Sequence, residues 1–167
     1  SKFKITNGVY MPDTQTNSVL NNINEIEQKI FTNSLQSEVS LKLINEVENQ
    51  NAFELLPTYL GIENENINQM VSQFNKIILE KNNLLVGATE KNPLVIQSQN
   101  QLIVLKSNIL NSLNIYINKL KMKLNKYDDF KQKNNLMIGV IPLKEAELSN
   151  LGKDLLRVNN LYAYLSK

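Results

Sequence analysis

The sequence predicts an all-α fold: a long antiparallel helical hairpin or coiled coil whose central helix is kinked or broken. Three observations predict it. Apolar residues recur at alternating steps of three and four over most of the 167-residue chain. A heptad-spaced series persists across the centre of the chain. The 5 Gly and 4 Pro are spread thinly, so neither a linker nor a low-complexity segment is visible. One helical region, 1–167, is expected, with helices over about 14–49, 66–90, 93–135 and 143–167.

The first element is the least regular. "NGVYMPDTQTN" holds Gly8 and Pro12 and reads as a turn, with Asp13 or Thr14 as the N-cap of a helix. Ile23, Ile26 and Ile30 begin its apolar face, and Leu35, Val39, Leu41 and Ile44 continue it to about Glu48. The register slips between Ser34 and Ser37, where small polar residues interrupt it. A corner follows. Pro57 and Gly61 break the helix, while Phe53, Leu55, Leu56, Tyr59, Leu60 and Ile62 are too apolar for an idle loop. They are expected to plug the gap between helices, with a ligand pocket there as the less favoured alternative.

The second helix carries Ile67, Met70, Phe74, Ile77, Lys81, Leu84 and Ala88, widened by Val71, Ile78 and Leu85. The third returns in the same register through Val95, Leu102, Ile109, Leu113, Tyr116, Leu120, Tyr127 and Phe130. Beside it Ile96, Ile103, Leu110, Ile117 and Leu124 are spaced by seven. Between the two stands the junction Asn92–Pro93. Pro93 would clash with the carbonyl of residue 89 in a continuous helix, and it biases Asn92 away from helical geometry. A tight hairpin would satisfy both facts. The heptad count from Ala88 through Asn92 to Val95 nevertheless stays in phase, so one long helix, kinked or broken at Asn92, is expected. The first and last helices would then fold back antiparallel along it.

The last element starts at Pro142, where a missing N–H costs nothing, with Glu145 and Glu147 in its first turns. Leu148, Leu151, Leu155, Val158, Tyr162 and Leu165 give it an apolar face. The expected seam of the whole region is Phe74, Ile77, Leu84, Leu102, Ile109, Leu113, Leu120, Leu148, Leu151 and Leu155. Leu161 and Tyr164 lie off that face and are expected at an interface with another domain or subunit.

Composition narrows the chemistry. The chain contains neither Cys nor His, which removes thiol nucleophiles, disulfides, imidazole bases and the usual zinc sites. Its 18 basic residues are dispersed among 16 acidic ones, with no footprint for nucleic acid. No apolar run approaches the ~20 residues of a membrane span, so no membrane contact by this region is expected. The abundant Asn is expected on a polar surface. Glu145 with Glu147 and Asp128 with Asp129 read as solvated pairs, so no catalytic, cofactor-binding or metal-ligating residue is assigned.

The segments "LLPTYLG", "LLVGATEKNPLVIQSQNQL", "IPLKEAELSNLGKD" and "NLYAYLSK", in that order, resemble the periplasmic helical region of the exopolysaccharide chain-length-determinant, or polysaccharide co-polymerase, proteins. The likeness is greatest to the tyrosine-kinase-linked members of Bacteroidetes type, and it covers essentially the whole chain. It implies a non-catalytic periplasmic region of an inner-membrane protein that regulates the length and export of exopolysaccharide or capsular polysaccharide. It also implies self-association, contact with an outer-membrane export channel or polymerase, and, in kinase-linked members, a cytoplasmic kinase domain elsewhere. The sequence departs from the pattern at Lys153, where the family often has Arg, and holds no GxxxxGK[ST] loop or flanking membrane span. A cytoplasmic coiled-coil adaptor or tether would share the same periodicity and is the alternative.

Overall fold

The computed structural model describes residues 13–140 and 153–158. All regular structure among them is helical: α1 is Asp13–Glu48, α2 is Glu65–Gly87 and α3 is Pro93–Val140. Residues 153–158 are helical as well. The chain divides into two compact units, Glu27–Asp128 and the pair of segments Ser1–Ile26 with Asp129–Lys167.

Local chemistry sets the helix ends in the unit Glu27–Asp128. Asn64 caps α2: its backbone is extended and its side-chain oxygen accepts from Ile67 N at 3.1 Å. Glu65 follows in the first turn, where a carboxylate faces the positive end of the helix dipole. At the other end Gly87 is the last helical residue and Ala88 is extended. Asn92 then starts α3. Its Oδ1 accepts from Leu94 N at 2.9 Å, its carbonyl accepts from Ile96 N at 3.0 Å, and Pro93 takes the first helical position. Asn92→Ala should therefore cost about 1 kcal/mol in chemical denaturation.

The five residues between Gly87 and Pro93 reverse the chain, with Asn92 N donating to Thr89 O at 2.9 Å. The preference for one long helix through Asn92 is thus corrected to a hairpin. Far from that turn, Tyr116 Oη on α3 donates to the carbonyl of Glu63, just before α2, at 3.4 Å. A continuous helix would hold those residues far apart; an antiparallel pair brings them level.

The core of this unit lies between all three helices. Ile67, Val71, Phe74, Ile77 and Ile78 of α2 pack with Leu102, Leu105, Ile109 and Leu113 of α3, and with Leu43 and Val47 of α1. Phe74, Leu102, Ile109 and Leu113 of the expected seam are fully buried. Ile77 and Leu120 are buried too, and Leu84 is half-buried. Ile96, Ile103 and Phe130, by contrast, are exposed.

The direction of α1 departs from expectation. Gln36 is bonded to Gly61 and Glu63, immediately before α2, while Leu43 borders the same recess as Val71. Moving up α1 therefore moves up α2: the two run parallel, and both are antiparallel to α3. The helix does not fold back at the corner. The segment 49–64 instead returns along the bundle so that α2 can start level with the middle of α1.

The seam of α1 differs as well. Leu35 and Leu41, expected inside, are exposed, and Val39 and Ile44 are half-buried. The buried positions are Asn33, Gln36, Ser40, Leu43 and Val47, at steps of three and four. Within the stretch that looked like a slip in the register, Gln36 is buried and Ser37 half-buried, while Ser34 is exposed.

In the second unit Val19, Ile26 and Asn134 are buried, and Asn134 Nδ2 donates to Phe130 O at 3.0 Å. Leu155, expected in the seam, is 63% exposed. Leu148, Leu151, Leu161, Tyr162, Tyr164 and Leu165 lie outside the described residues, as does most of the expected helix 143–167.

Candidate functional site

The returning segment 49–64 is a strap held by side-chain amides. Asn75 on α2 treats Leu56 as a strand neighbour would: Leu56 N donates to Asn75 Oδ1 at 2.7 Å, and Asn75 Nδ2 donates to Leu56 O at 2.8 Å. Asn68 Nδ2 donates to Ile62 O at 2.8 Å. From α1, Gln36 Nε2 donates to Gly61 O at 2.8 Å, and its Oε1 accepts from Glu63 N at 2.8 Å. Backbone polar groups of a strap laid on a core need partners, and carboxamides offer a donor and an acceptor together. Four of the Asn residues expected on a polar surface do more than meet solvent: Asn64 and Asn92 cap helices, and the exposed Asn68 and half-buried Asn75 bind backbone of the strap.

Apolar anchors alternate with these clamps. The Phe53 ring meets Phe74 edge-on, with centroids 6.1 Å apart, and Lys81 Nζ stands 5.8 Å from the Phe53 centroid. Leu56 and Ile62 are buried, and Pro57 and Leu60 are half-buried. Leu55 is exposed and Tyr59 is 83% exposed, so these two do not plug the corner as expected. Gly61 has φ +74°, a backbone conformation that other residues enter only at a cost.

Tyr116 closes the arrangement from α3. Its hydroxyl donates to Gln36 Oε1 at 3.2 Å as well as facing Glu63 O. Burial, and then the negative charge of Glu63, raise its pKa above the ordinary phenol value. The native state therefore holds the Tyr116 proton more tightly than the unfolded chain does. The resulting stabilisation is full below about pH 10 and is lost as pH rises through the raised native value. Tyr116→Phe should cost about 1 kcal/mol at pH 7, and the gap between parent and variant in urea melts should narrow above pH 10.

The recess at the strap, bordered by Leu43, Pro57, Leu60, Gly61 and Val71, has a cavity volume of about 50 Å³. Pockets that enclose a small molecule are roughly 300–1,000 Å³. Asp128 and Asp129 are exposed neighbours on α3, and Glu145 and Glu147 lie outside the described residues. No group of acidic side chains positioned to hold a metal ion occurs among the described residues. None of the described helices is long and apolar enough to cross a membrane.

Sequence reasoning located the strap but missed Gln36, Asn68, Asn75 and Tyr116 as its holders. The one usable signal was in α1: Val19, Ile26, Asn33, Ser40 and Val47 are spaced by seven.

Comparison with known proteins returned no matching family model, no matching curated protein and no matching solved structure.

Proposed function

We propose that this chain is a non-catalytic, periplasmic helical region of an inner-membrane protein that regulates the chain length and export of exopolysaccharide or capsular polysaccharide. The observation that carries this reading is the coincidence of the resembling segments with the architecture. "LLPTYLG" forms the clamped strap, and the "KNP" of "LLVGATEKNPLVIQSQNQL" forms the turn and cap between two antiparallel helices. Those are the points that decide how the chain reverses, and a likeness confined to heptad positions would not single them out.

The geometry suits a strut. The 48 residues of α3 amount to about 70 Å of helix axis. Exposed apolar side chains such as Phe31, Leu41 and Met122 lie on its helices. The partners this reading implies are further copies of the same protein and an outer-membrane export channel or polymerase.

The test uses the absence of Cys. Asn83→Cys, on the exposed side of α2, is introduced into the otherwise Cys-free region within the full-length protein. A membrane-impermeant maleimide should label it once the outer membrane is permeabilised. Labelling only after the inner membrane is lysed would overturn the periplasmic reading in favour of a cytoplasmic tether. Polymer isolated from cells carrying a strap-disrupting variant should also change in length distribution.

A further inference from the structure

The rows of side chains that meet α2 continue past the point where α2 starts, and there they turn to lysine. On α3, Leu105 borders Gln73 and Ile77 of α2, and Tyr116 reaches Glu63 O just before α2 begins. Two and three heptads on from Leu105 stand Lys119 and Lys126, and one heptad on from Tyr116 stands Lys123. On α1, Gln36 binds Gly61 and Glu63, and one heptad before it stands Lys29. A step of seven on a helix returns to nearly the same face. Because α1 and α2 run parallel and α3 runs against both, all four lysines lie beyond the start of α2, on the side that α2 covers further along. Each is exposed, and none forms an ion pair among the described residues.

The shelf that these lysines border is rich in donors. An ammonium donates three hydrogen bonds and accepts none. Asn33, one turn from Lys29 in the seam between α1 and α3, is buried, and its Nδ2 has no acceptor among the described residues. Glu27 and Asp128 lie two residues from Lys29 and Lys126, and so on other sides of their helices. Glu25, one turn before Lys29, and Glu63, at the start of α2, stand toward the two ends of the shelf. Between those ends the charge is positive.

We infer that this shelf binds a strand of acidic polysaccharide, with carboxylates along the strand meeting the lysines in turn. Lys119 and Lys126 are separated by about 10 Å of helix axis. Charges strung out in this way suit a chain whose negative groups recur, rather than one compact anion. A partner helix docks through apolar anchors at steps of three and four. A membrane surface takes up an apolar face, and single-stranded nucleic acid stacks on aromatic platforms. Past Tyr116 the lysine rows offer none of these. Lysine is a mobile point charge that holds no fixed fork geometry, so it follows a flexible polymer without demanding one conformation. The linear polyanion is derived from the lysines; its being a polysaccharide rests on the reading above.

Calorimetric titration of the purified chain with an oligogalacturonate at low salt tests the site. The acidic oligosaccharide should bind, a neutral malto-oligosaccharide of the same length should not, and the affinity should fall steeply as salt is added. Lys123→Glu should weaken binding by about tenfold or more. Lys121→Glu changes the net charge equally but sits two residues away, on the opposite side of α3, and should weaken it by less than about threefold. Both positions are exposed, so both variants should melt with the parent. Absence of binding at low salt would overturn the site, as would equal losses in K121E and K123E, which would mean attraction to net charge alone. Tighter binding to polyglutamate or to vesicles of anionic lipid would overturn the polysaccharide in favour of an acidic protein segment or a membrane surface. None of these results reports location, which the maleimide labelling decides separately.

Discussion

Leu113→Asp is expected to lower stability by at least about 4 kcal/mol, enough to unfold a chain of ordinary stability. Leu113 is 0% exposed and belongs to the cluster formed with Ile67, Phe74 and Ile109. Removing the isobutyl group forfeits its burial, and the carboxylate that replaces it must either lose its hydration or take up a proton. A carboxyl held there has a raised pKa, so the native variant binds a proton more tightly than its unfolded state does. Its stability should accordingly recover in part as pH falls below the native value and decline as pH rises through it. Asn114→Asp is the internal control: the neighbouring position is exposed, and the change should stay within about 0.5 kcal/mol. Urea midpoints for the three proteins settle the register. Parent-like melting of L113D would move the inward seam of α3 to another face.

The helices α2 and α3 were legible because their inward positions are written in Ile, Leu, Val and Phe. Phe74, Ile77, Leu102, Ile109 and Leu113 recur at seam spacing, and a helix that buries such a stripe has few alternatives. What failed was the inference from phase at Asn92. The heptad count from Ala88 to Val95 stays in step, but a five-residue turn resets the direction of the axis, and continuity of count carries no information across it. Pro93 and the capping potential of Asn92 were the informative residues, and both favoured the break.

α1 was illegible for a different reason. Half its inward face is polar, and a buried Gln looks like a solvated one until its partners are known. The partners of Gln36 are Gly61, Glu63 and Tyr116, and the last is 80 residues away. The apolar residues nearest in sequence, Leu35 and Leu41, drew the predicted face to the exposed side. The strap was recognised as ordered through Leu56, Leu60 and Ile62, but its direction depends on Asn75 and Asn68. Amides on a neighbouring helix leave no periodic trace.

Gln36→Leu is the second large effect, expected at about 2–4 kcal/mol despite a gain in apolar character. Gln36 is 5% exposed and sits where α1, the strap and α3 meet. Its amide nitrogen serves Gly61 O, and its oxygen serves both Glu63 N and Tyr116 Oη. Leucine fills a similar volume but leaves these three part-buried groups without that partner; a fully buried, unsatisfied group costs about 1–3 kcal/mol, and water reaching the exposed Gly61 and Glu63 lowers the cost there. The Tyr116 hydroxyl retains its contact with Glu63 O, which holds the total toward the lower end. Gln36→Glu should be no remedy: the carboxylate still accepts, but it offers Gly61 O no N–H and adds a charge. In a double-mutant cycle with Tyr116→Phe the two losses should sum to less than their separate values, by about 0.5–1 kcal/mol, because one bond is counted in both. Hydrogen exchange provides the local readout. The Glu63 amide should lose protection in Q36L far beyond the change at the centres of α2 and α3, since its acceptor is gone while the helices persist. If Glu63 stays as protected as in the parent and Q36L melts with it, the strap is held by its apolar anchors and the amide clamp is incidental. If protection falls everywhere by the same factor, Gln36 supports the whole unit rather than the strap alone.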